Sequence, residues 1–266
     1  MILDPSESSY QAGREEPSGH PTGSSKTRGT TDFQVVILAG GLGTRMQPIT
    51  SSIPKPLIPV KGNPFLRYQL ELLARFGLRR VLMLVAYLGE KIEAHFGTGR
   101  ALGIELAYCY EPTPLGTGGA LKNAEAQLES EFIVLNGDTY LPIDYRALLR
   151  SFREQNTCAM IVAYRPSGKG SSEAGSLPSN LAVSAGGRVT AYRKRDPRGL
   201  THVDAGVLVL RKEVLNKIPR SRACSLEEEV FPQMIAEGQM EAWVTSVPFY
   251  DMGTPAGLEA LAARLP

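Results

Sequence analysis

The chain has 266 residues, with 29 lysines and arginines against 27 aspartates and glutamates, for a net charge of +2. So even a balance argues against a nucleic-acid-binding surface, and no apolar run reaches the length of a bilayer span. Three widely spaced cysteines, Cys109, Cys158 and Cys224, form neither a metal-ligand pattern nor an even disulfide framework, which suits a reducing cytoplasm.

Residues 1–32 are rich in Ser, Gly, Pro, Glu and Thr and nearly lack large apolar side chains. Such a segment buries too little surface to offset its ordering entropy and reads as a flexible tail, with His20 idle in solvent. It has no basic start followed by an apolar stretch, so it is not a secretory signal. Residues 33–266 are long enough for one α/β domain with a sizeable core. From Gln34 onward strand-like and helix-like patterns alternate, the mark of a mainly parallel sheet flanked by helices.

The first strand, Val35 to Ala39, breaks into Gly40-Gly41-Leu42-Gly43-Thr44-Arg45, and Lys55 follows between two prolines. A glycine-rich turn at the carboxyl end of such a strand is where open α/β sheets bind ligands. Glycines let backbone N–H groups approach an anion. Arg45 offers a planar fork of donors for phosphate oxygens, and Lys55 a compact charge. A Walker loop would need Gly-Lys-Ser/Thr, and a dinucleotide loop a third glycine where Met46 stands. Pro48 and Pro54 oppose a long helix directly after the glycines.

Helical spacing over Phe65 to Phe76 stops at Gly77, followed by a strand at Val81–Ala86 and a short helix at Leu88–Phe96. His95, near that helix end, reads as a surface residue favoured by the helix dipole. After a strand at Ile104–Tyr110 comes Glu111-Pro112-Thr113-Pro114-Leu115-Gly116-Thr117-Gly118-Gly119, a tight loop before a helix running to about Leu128. A carboxylate only accepts hydrogen bonds. Guanine presents adjacent N1–H and N2–H2 donors to Glu111, uracil and thymine a single N3–H, and adenine and cytosine a repelling ring acceptor. Glu111 therefore favours GTP first and UTP or dTTP second; the alternative, in which it points to solvent and backbone groups read the base, stays open.

The buried strand Phe132–Leu135 ends in Asn136-Gly137-Asp138-Thr139, which places a carboxylate where it can hold a hard cation such as Mg2+. A second candidate carboxylate, Asp251, lies in Phe249-Tyr250-Asp251-Met252-Gly253-Thr254-Pro255. Between them the pattern predicts a helix at Tyr145–Phe152, a strand at Ala159–Tyr164, a surface loop over 166–178, and a strand at Val189–Lys194 ending in Tyr192-Arg193-Lys194-Arg195. His202 reads as a loop histidine before Val203-Asp204-Ala205-Gly206-Val207. Ser225-Leu226-Glu227-Glu228-Glu229 combines a cap with a helix start. A strand at Trp243–Val247 and a helix at Pro255–Arg264 close the pattern, with no hexapeptide repeats of an attached β-helix.

G-G-x-G-T-R at Gly40–Arg45, followed by P-K-P-L at Pro54–Leu57, resembles the double signature of the sugar-1-phosphate nucleotidyltransferases. The resemblance covers about Gln34 to Arg264. Its wording is closest to guanylyltransferases acting on D-glycero-α-D-manno-heptose-1-phosphate, then mannose-1-phosphate. It implies a Rossmann-like α/β fold and a reaction in which NTP and a sugar-1-phosphate give an NDP-sugar and pyrophosphate. Asp138 and Asp251 would together hold Mg2+. Leu38, Ala39, Gly40, Gly41, Gly43, Thr44 and Arg45 would bind the nucleotide, with Glu111, Gly116 and Thr117 against the base. Arg45 would hold the leaving pyrophosphate, and Lys55 would bridge the reacting phosphates. Lys194 would hold the sugar phosphate, although an ungapped count favours Arg195. Asn180 replaces a glycine contact of the family, Asp204 stands where relatives carry Asn, and Glu227 would approach the sugar. A uridylyl- or thymidylyltransferase is the rival reading. A non-catalytic nucleotide-sugar-binding regulatory subunit should have lost some of Arg45, Lys55, Asp138 and Asp251, and all four are present. Homo-oligomerisation is left open.

Overall fold

The apolar runs of the sequence become the middle of a seven-stranded sheet. A computed structural model describes residues 33–41, 43, 46, 49–166, 177–194, 196–220, 222–253 and 255–265. The expected tail over 1–32, most of the loop over 166–178, and Leu42, Thr44, Arg45 and Arg195 lie outside the described residues.

The strands are β1 (Gln34–Leu38), β2 (Arg80–Val85), β3 (Glu105–Tyr110), β4 (Glu131–Asn136), β5 (Ala159–Tyr164), β6 (Val203–Arg211) and β7 (Met240–Thr245), in the spatial order β7-β5-β6-β4-β1-β2-β3. β1 pairs in parallel with β2 and β4, β2 with β3, and β5 with β7, while β6 runs antiparallel to both β4 and β5. The sheet is mixed and mainly parallel, as the alternating pattern predicts. β1, β2, β4 and β5 are apolar along almost their whole length because both faces are covered. β3, at the sheet edge, alternates between buried and exposed positions.

Helices α1 (Phe65–Arg75) and α4 (Tyr145–Gln155) cover one face, where Leu66, Leu70, Leu148 and Phe152 share a core with Val35, Ile37 and Ile133. On the other face, Leu121 of α3 (Gly116–Asn123) and Phe231 and Met234 of α5 (Phe231–Ala236) share one with Val36, Leu82 and Val134. Successive residues of β1 thus feed opposite cores, as the period of a strand requires. α2 (Gly89–Phe96) links β2 to β3, and α4 starts where the Asp144 carboxylate caps Arg146 N and Ala147 N. α6 (Pro255–Arg264) builds a third, small core in which Leu261 and Leu265 meet Met46, Ile58, Phe65 and Met252. That core ties the segment after the glycine loop to the end of the chain.

Several boundaries depart from the sequence pattern. α3 ends at Asn123 and continues as a 3-10 turn over Glu125–Gln127, because Gln127 N bonds back to Ala124 O. The strand expected to reach Lys194 stops at Tyr192, since Arg193 N turns to Asn180 O. β7 begins earlier than Trp243, in parallel register with the whole of β5. His202 is not a simple loop residue. It is 3 % exposed and bridges to Leu181. Its Nε2 accepts from Arg165 Nε at 3.3 Å, so the other ring nitrogen, Nδ1, carries the proton toward Thr201 Oγ1 at 2.8 Å. Burial, then the Arg165 charge, hold its pKa below the usual histidine value.

Candidate active site

β1 sends the chain to β2 on one side while β4 lies on its other side, so the carboxyl ends of β1 and β4 form the switch point of the sheet. Leu38 and Asn136 are the last paired residues there, and Gly137 N donates to Leu38 O at 2.9 Å. A cleft of about 690 Å³ opens above them. Leu38, Ala39, Gly40, Gly41 and Gly43 line it from the first glycine loop, and Glu111, Gly116 and Thr117 from the second.

Lys55 starts a 3-10 turn directly after Pro54, which holds extended backbone, and its ammonium pairs with the Asp138 carboxylate. The two side chains are 11 % and 27 % exposed, so solvent screens this pair less than a surface ion pair. Asp251 arrives from the far end of the chain. The short ladder of Thr139–Tyr140 with Tyr250–Asp251 sets Asp251 opposite Thr139, and Met252 N donates to Asp138 O at 3.0 Å. Asp251 Oδ1 accepts from Gly253 N at 2.6 Å. Asp251 thus sits in this small ladder and Asp138 directly before its first residue, and both line the cleft. Among the described residues no group of three or more His, Cys, Asp or Glu side chains gathers as a metal cage.

One residue that sequence reasoning missed supports this ladder. Gln69 of α1 is 1 % exposed, and its Nε2 donates to Asn136 O and Thr139 O, both at 2.9 Å. It therefore grips the backbone on either side of Gly137-Asp138. The available signal was a polar side chain on the apolar face of α1, among Phe65, Leu66, Leu70 and Leu73.

At the second loop, Glu111 N bonds Val85 O, and its Oε2 accepts from Leu115 N at 3.1 Å. Burial raises the Glu111 carboxyl pKa, partly offset by that bond. A Cβ added to Gly40 would stand 2.5 Å from Glu111 Oε1, so the two glycine-rich loops meet with no room for a side chain between them. Thr117 also lies in the cleft wall, but its hydroxyl bonds Glu227 and Leu226 N.

The remaining wall is acceptor-rich. Asp204 Oδ1 accepts from Gly206 N at 2.9 Å and Oδ2 from Tyr192 Oη at 3.0 Å. Asn180 Oδ1 takes Asp204 N at 2.7 Å; the residue lines the cleft, and among the described residues nothing accepts from its side-chain amide. Glu227 Oε2 accepts from Thr117 and Ser225, with Lys194 Nζ 3.9 Å away. The structure also separates the three consecutive glutamates. Glu229 caps, taking Ser225 N at 3.0 Å, Glu228 is exposed, and Glu227 is the one that lines the cleft. All predicted site residues that are described therefore surround one cleft; Thr44 and Arg45 lie outside the described residues.

Residues 34–265 match the family model described as nucleotidyl transferase. Mannose-1-phosphate guanylyltransferase of Mycobacterium tuberculosis is 35% identical over 233 residues, which cover 85% of this chain and 62% of that protein. D-glycero-alpha-D-manno-heptose 1-phosphate guanylyltransferase of Campylobacter jejuni is 32% identical over 223 residues, covering 84% of this chain and 96% of that one. The chain spans about three fifths of the length of the first curated relatives it matches, 62% and 57%. Among solved structures, HddC from Yersinia pseudotuberculosis aligns with a TM-score of 0.76 at 29% identity, covering 87% of this chain and 99% of that one. The same protein has been crystallised with GMP-PN.

Proposed function

The chain belongs to the nucleotidyl transferase family, and from that premise we propose that it joins a nucleoside triphosphate, GTP first, to a sugar-1-phosphate, releasing pyrophosphate. The observation that carries this reading is the Lys55–Asp138 pair at the switch point, with Asp251 on the adjoining ladder and Glu111 lining the same cleft. Heptose- and mannose-1-phosphates are the favoured sugars, since relatives of both kinds match along most of this chain.

The sugar phosphate's oxygen attacks the α-phosphorus in line, forming one P–O bond as the bond to pyrophosphate breaks. Two polyanions must meet, and like unit charges about 4 Å apart repel by roughly 4 kcal/mol at an effective dielectric of about 20. Neutralising and aligning them is the main task of the protein. Lys55 bridges the reacting phosphates, Arg45 holds the departing pyrophosphate, and Lys194 holds the sugar phosphate. Asn180, Asp204 and Glu227 take the sugar hydroxyls. Glu111 accepts from guanine N1–H and N2–H2, which uracil can match only with its single N3–H.

The residues also fit a divalent cation. Two carboxylates lining one cleft, completed by substrate phosphate oxygens, are the oxygen set that Mg2+ takes, and Lys55 already marks Asp138 as a place for positive charge. Asp138 and Asp251 would hold it, and it would supply Lewis-acid polarisation of the α-phosphate. A reducing cytoplasm suits the three unpaired cysteines, and among the described residues no helix is long and apolar enough to cross a membrane.

The test is a pyrophosphate-release assay that crosses GTP, UTP, dTTP, ATP and CTP with heptose-, mannose-, glucose- and N-acetylhexosamine-1-phosphates. Turnover highest with GTP and a heptose or mannose phosphate is expected. Best turnover with ATP or CTP would overturn the role given to Glu111, and no release with any pair would overturn the activity.

A further inference from the structure

Thr117 lies in the loop expected to flank the base, yet its hydroxyl serves the other substrate's wall. It donates to Glu227 Oε2 at 2.8 Å and accepts from Leu226 N at 2.9 Å. A threonine hydroxyl has one proton to give, so none remains for a nucleotide. The backbones on either side are joined as well. Cys224 N donates to Leu115 O at 2.8 Å, and Cys224 O accepts from Gly118 N at 2.9 Å and Gly119 N at 3.1 Å. The approach is close enough that a Cβ on Gly116, whose φ is +71°, would stand 2.8 Å from the Cys224 carbonyl oxygen.

The far end of this junction is Glu227. Its Oε2 is held by Thr117 and, at 2.6 Å, by Ser225 Oγ. Among the described residues nothing donates to Oε1, which leaves that oxygen for the cleft. Ser225 is itself fixed, because its N–H is taken by Glu229 and its hydroxyl accepts from Glu228 N. Glu227 is therefore aimed by two hydroxyls, one from its own turn and one from the loop 110 residues away.

We infer that Thr117 is a positioning residue for Glu227, through which a nucleotide resting on the 111–117 loop orders the carboxylate that receives the sugar. This rests on the reading under Proposed function that the two walls serve nucleotide and sugar. The physical link is order. A ligand that restricts the loop restricts the 224–227 segment bonded to it, and the second ligand then meets a carboxylate already in place. Lys194, 3.9 Å from Glu227, lies on the same wall, so misplacing the carboxylate also removes the anion beside that ammonium.

The experiment compares Thr117→Val, which keeps the shape and removes the hydroxyl, with Thr117→Ser, which keeps the hydroxyl. For Thr117→Val the KM of the sugar-1-phosphate should rise roughly tenfold, the loss expected when a carboxylate loses one of its hydrogen bonds, while the KM of GTP stays within about twofold. Thr117→Ser should restore the wild-type value. A rise in the KM of GTP alone, or no change in either constant, overturns the inference. Amide hydrogen exchange on the wild type gives a second readout that needs no variant to fold. Saturating GTP should slow exchange over residues 224–229 as well as 111–119, and protection confined to 111–119 sinks the inference. A wild type that binds no nucleoside triphosphate defeats the functional reading and this one together. A wild type that turns over normally while Thr117→Val keeps its KM for the sugar phosphate defeats only this one.

Discussion

Replacing Asp204 by asparagine isolates the charge at the sugar-facing wall. Burial pushes this carboxyl from 3.8 up to about 6, helped by the Glu227 charge and opposed by the hydrogen bonds from Gly206 and Tyr192 and by the Lys194 charge. The folded protein thus holds a proton that the unfolded chain has already released between those two values. Stability contributed here falls as pH rises from 3.8 toward 6 and is level above that. The whole rise corresponds to on the order of 3 kcal/mol against the ionised fold at neutral pH. Between about pH 4.5 and 7.5 the wild type should lose about 2 kcal/mol of that, and Asp204→Asn none. The variant has its own cost, since Gly206 N and Tyr192 Oη use different oxygens of Asp204 and an amide has only one, so its NH2 must donate to the Tyr192 hydroxyl instead. That exchange lowers its whole profile by at most about 1–2 kcal/mol and leaves the slope alone. Titration of His202, whose pKa burial holds down, has the opposite sign but is common to both proteins and cancels in the difference. Urea unfolding followed by circular dichroism at the two pH values, with m-values compared, reads the effect. A wild-type-minus-variant difference that is the same at both pH values would refute the reasoning.

Lys55→Met and Asp138→Asn should each lower kcat by about 10²-fold or more, the range for removing a charge-stabilising group, in a pyrophosphate-release assay with saturating Mg2+; near-wild-type turnover in both contradicts the roles given to them. Gly40→Ala places a Cβ 2.5 Å from Glu111 Oε1 and 3.2 Å from the Ala86 Cβ, so the Glu111 carboxylate must shift from its place in the cleft wall. Its KM for GTP should rise roughly tenfold with that of the sugar phosphate unchanged. Gln69→Leu strips the donors from two carbonyls flanking Asp138, one buried and one partly so, and should cost about 2 kcal/mol in denaturant unfolding, together with a fall in kcat. Unaltered kcat in a folded Gln69→Leu protein would show that the Asp138 turn holds itself.

Much of the architecture was written in local pattern. β1, β2, β4 and β5 announce themselves as continuous apolar runs because each is covered on both faces, and the glycine loops follow strand ends where a parallel sheet binds ligands. Lys55, Asp138 and Asp251 could be named as candidates because the segments that carry them resemble the motifs of the sugar-1-phosphate nucleotidyltransferases; an aspartate in a turn is by itself common. Their assembly could not be read in the same way. Lys55 and Asp138 are 83 positions apart, and Thr117 and Glu227 are 110 apart. Gln69 looked like one more residue of an amphipathic helix until α1 was laid under the Asn136–Thr139 turn. The resemblance pointed to Glu227, but nothing local showed that Glu229 is the one that caps, or told a loop histidine from the buried His202. A sequence determines which side chains must leave water, since that depends on a residue and its near neighbours. Hydrogen-bond partners are decided only when distant segments pack, because a single bond is too short and directional to be specified before its two ends are brought together.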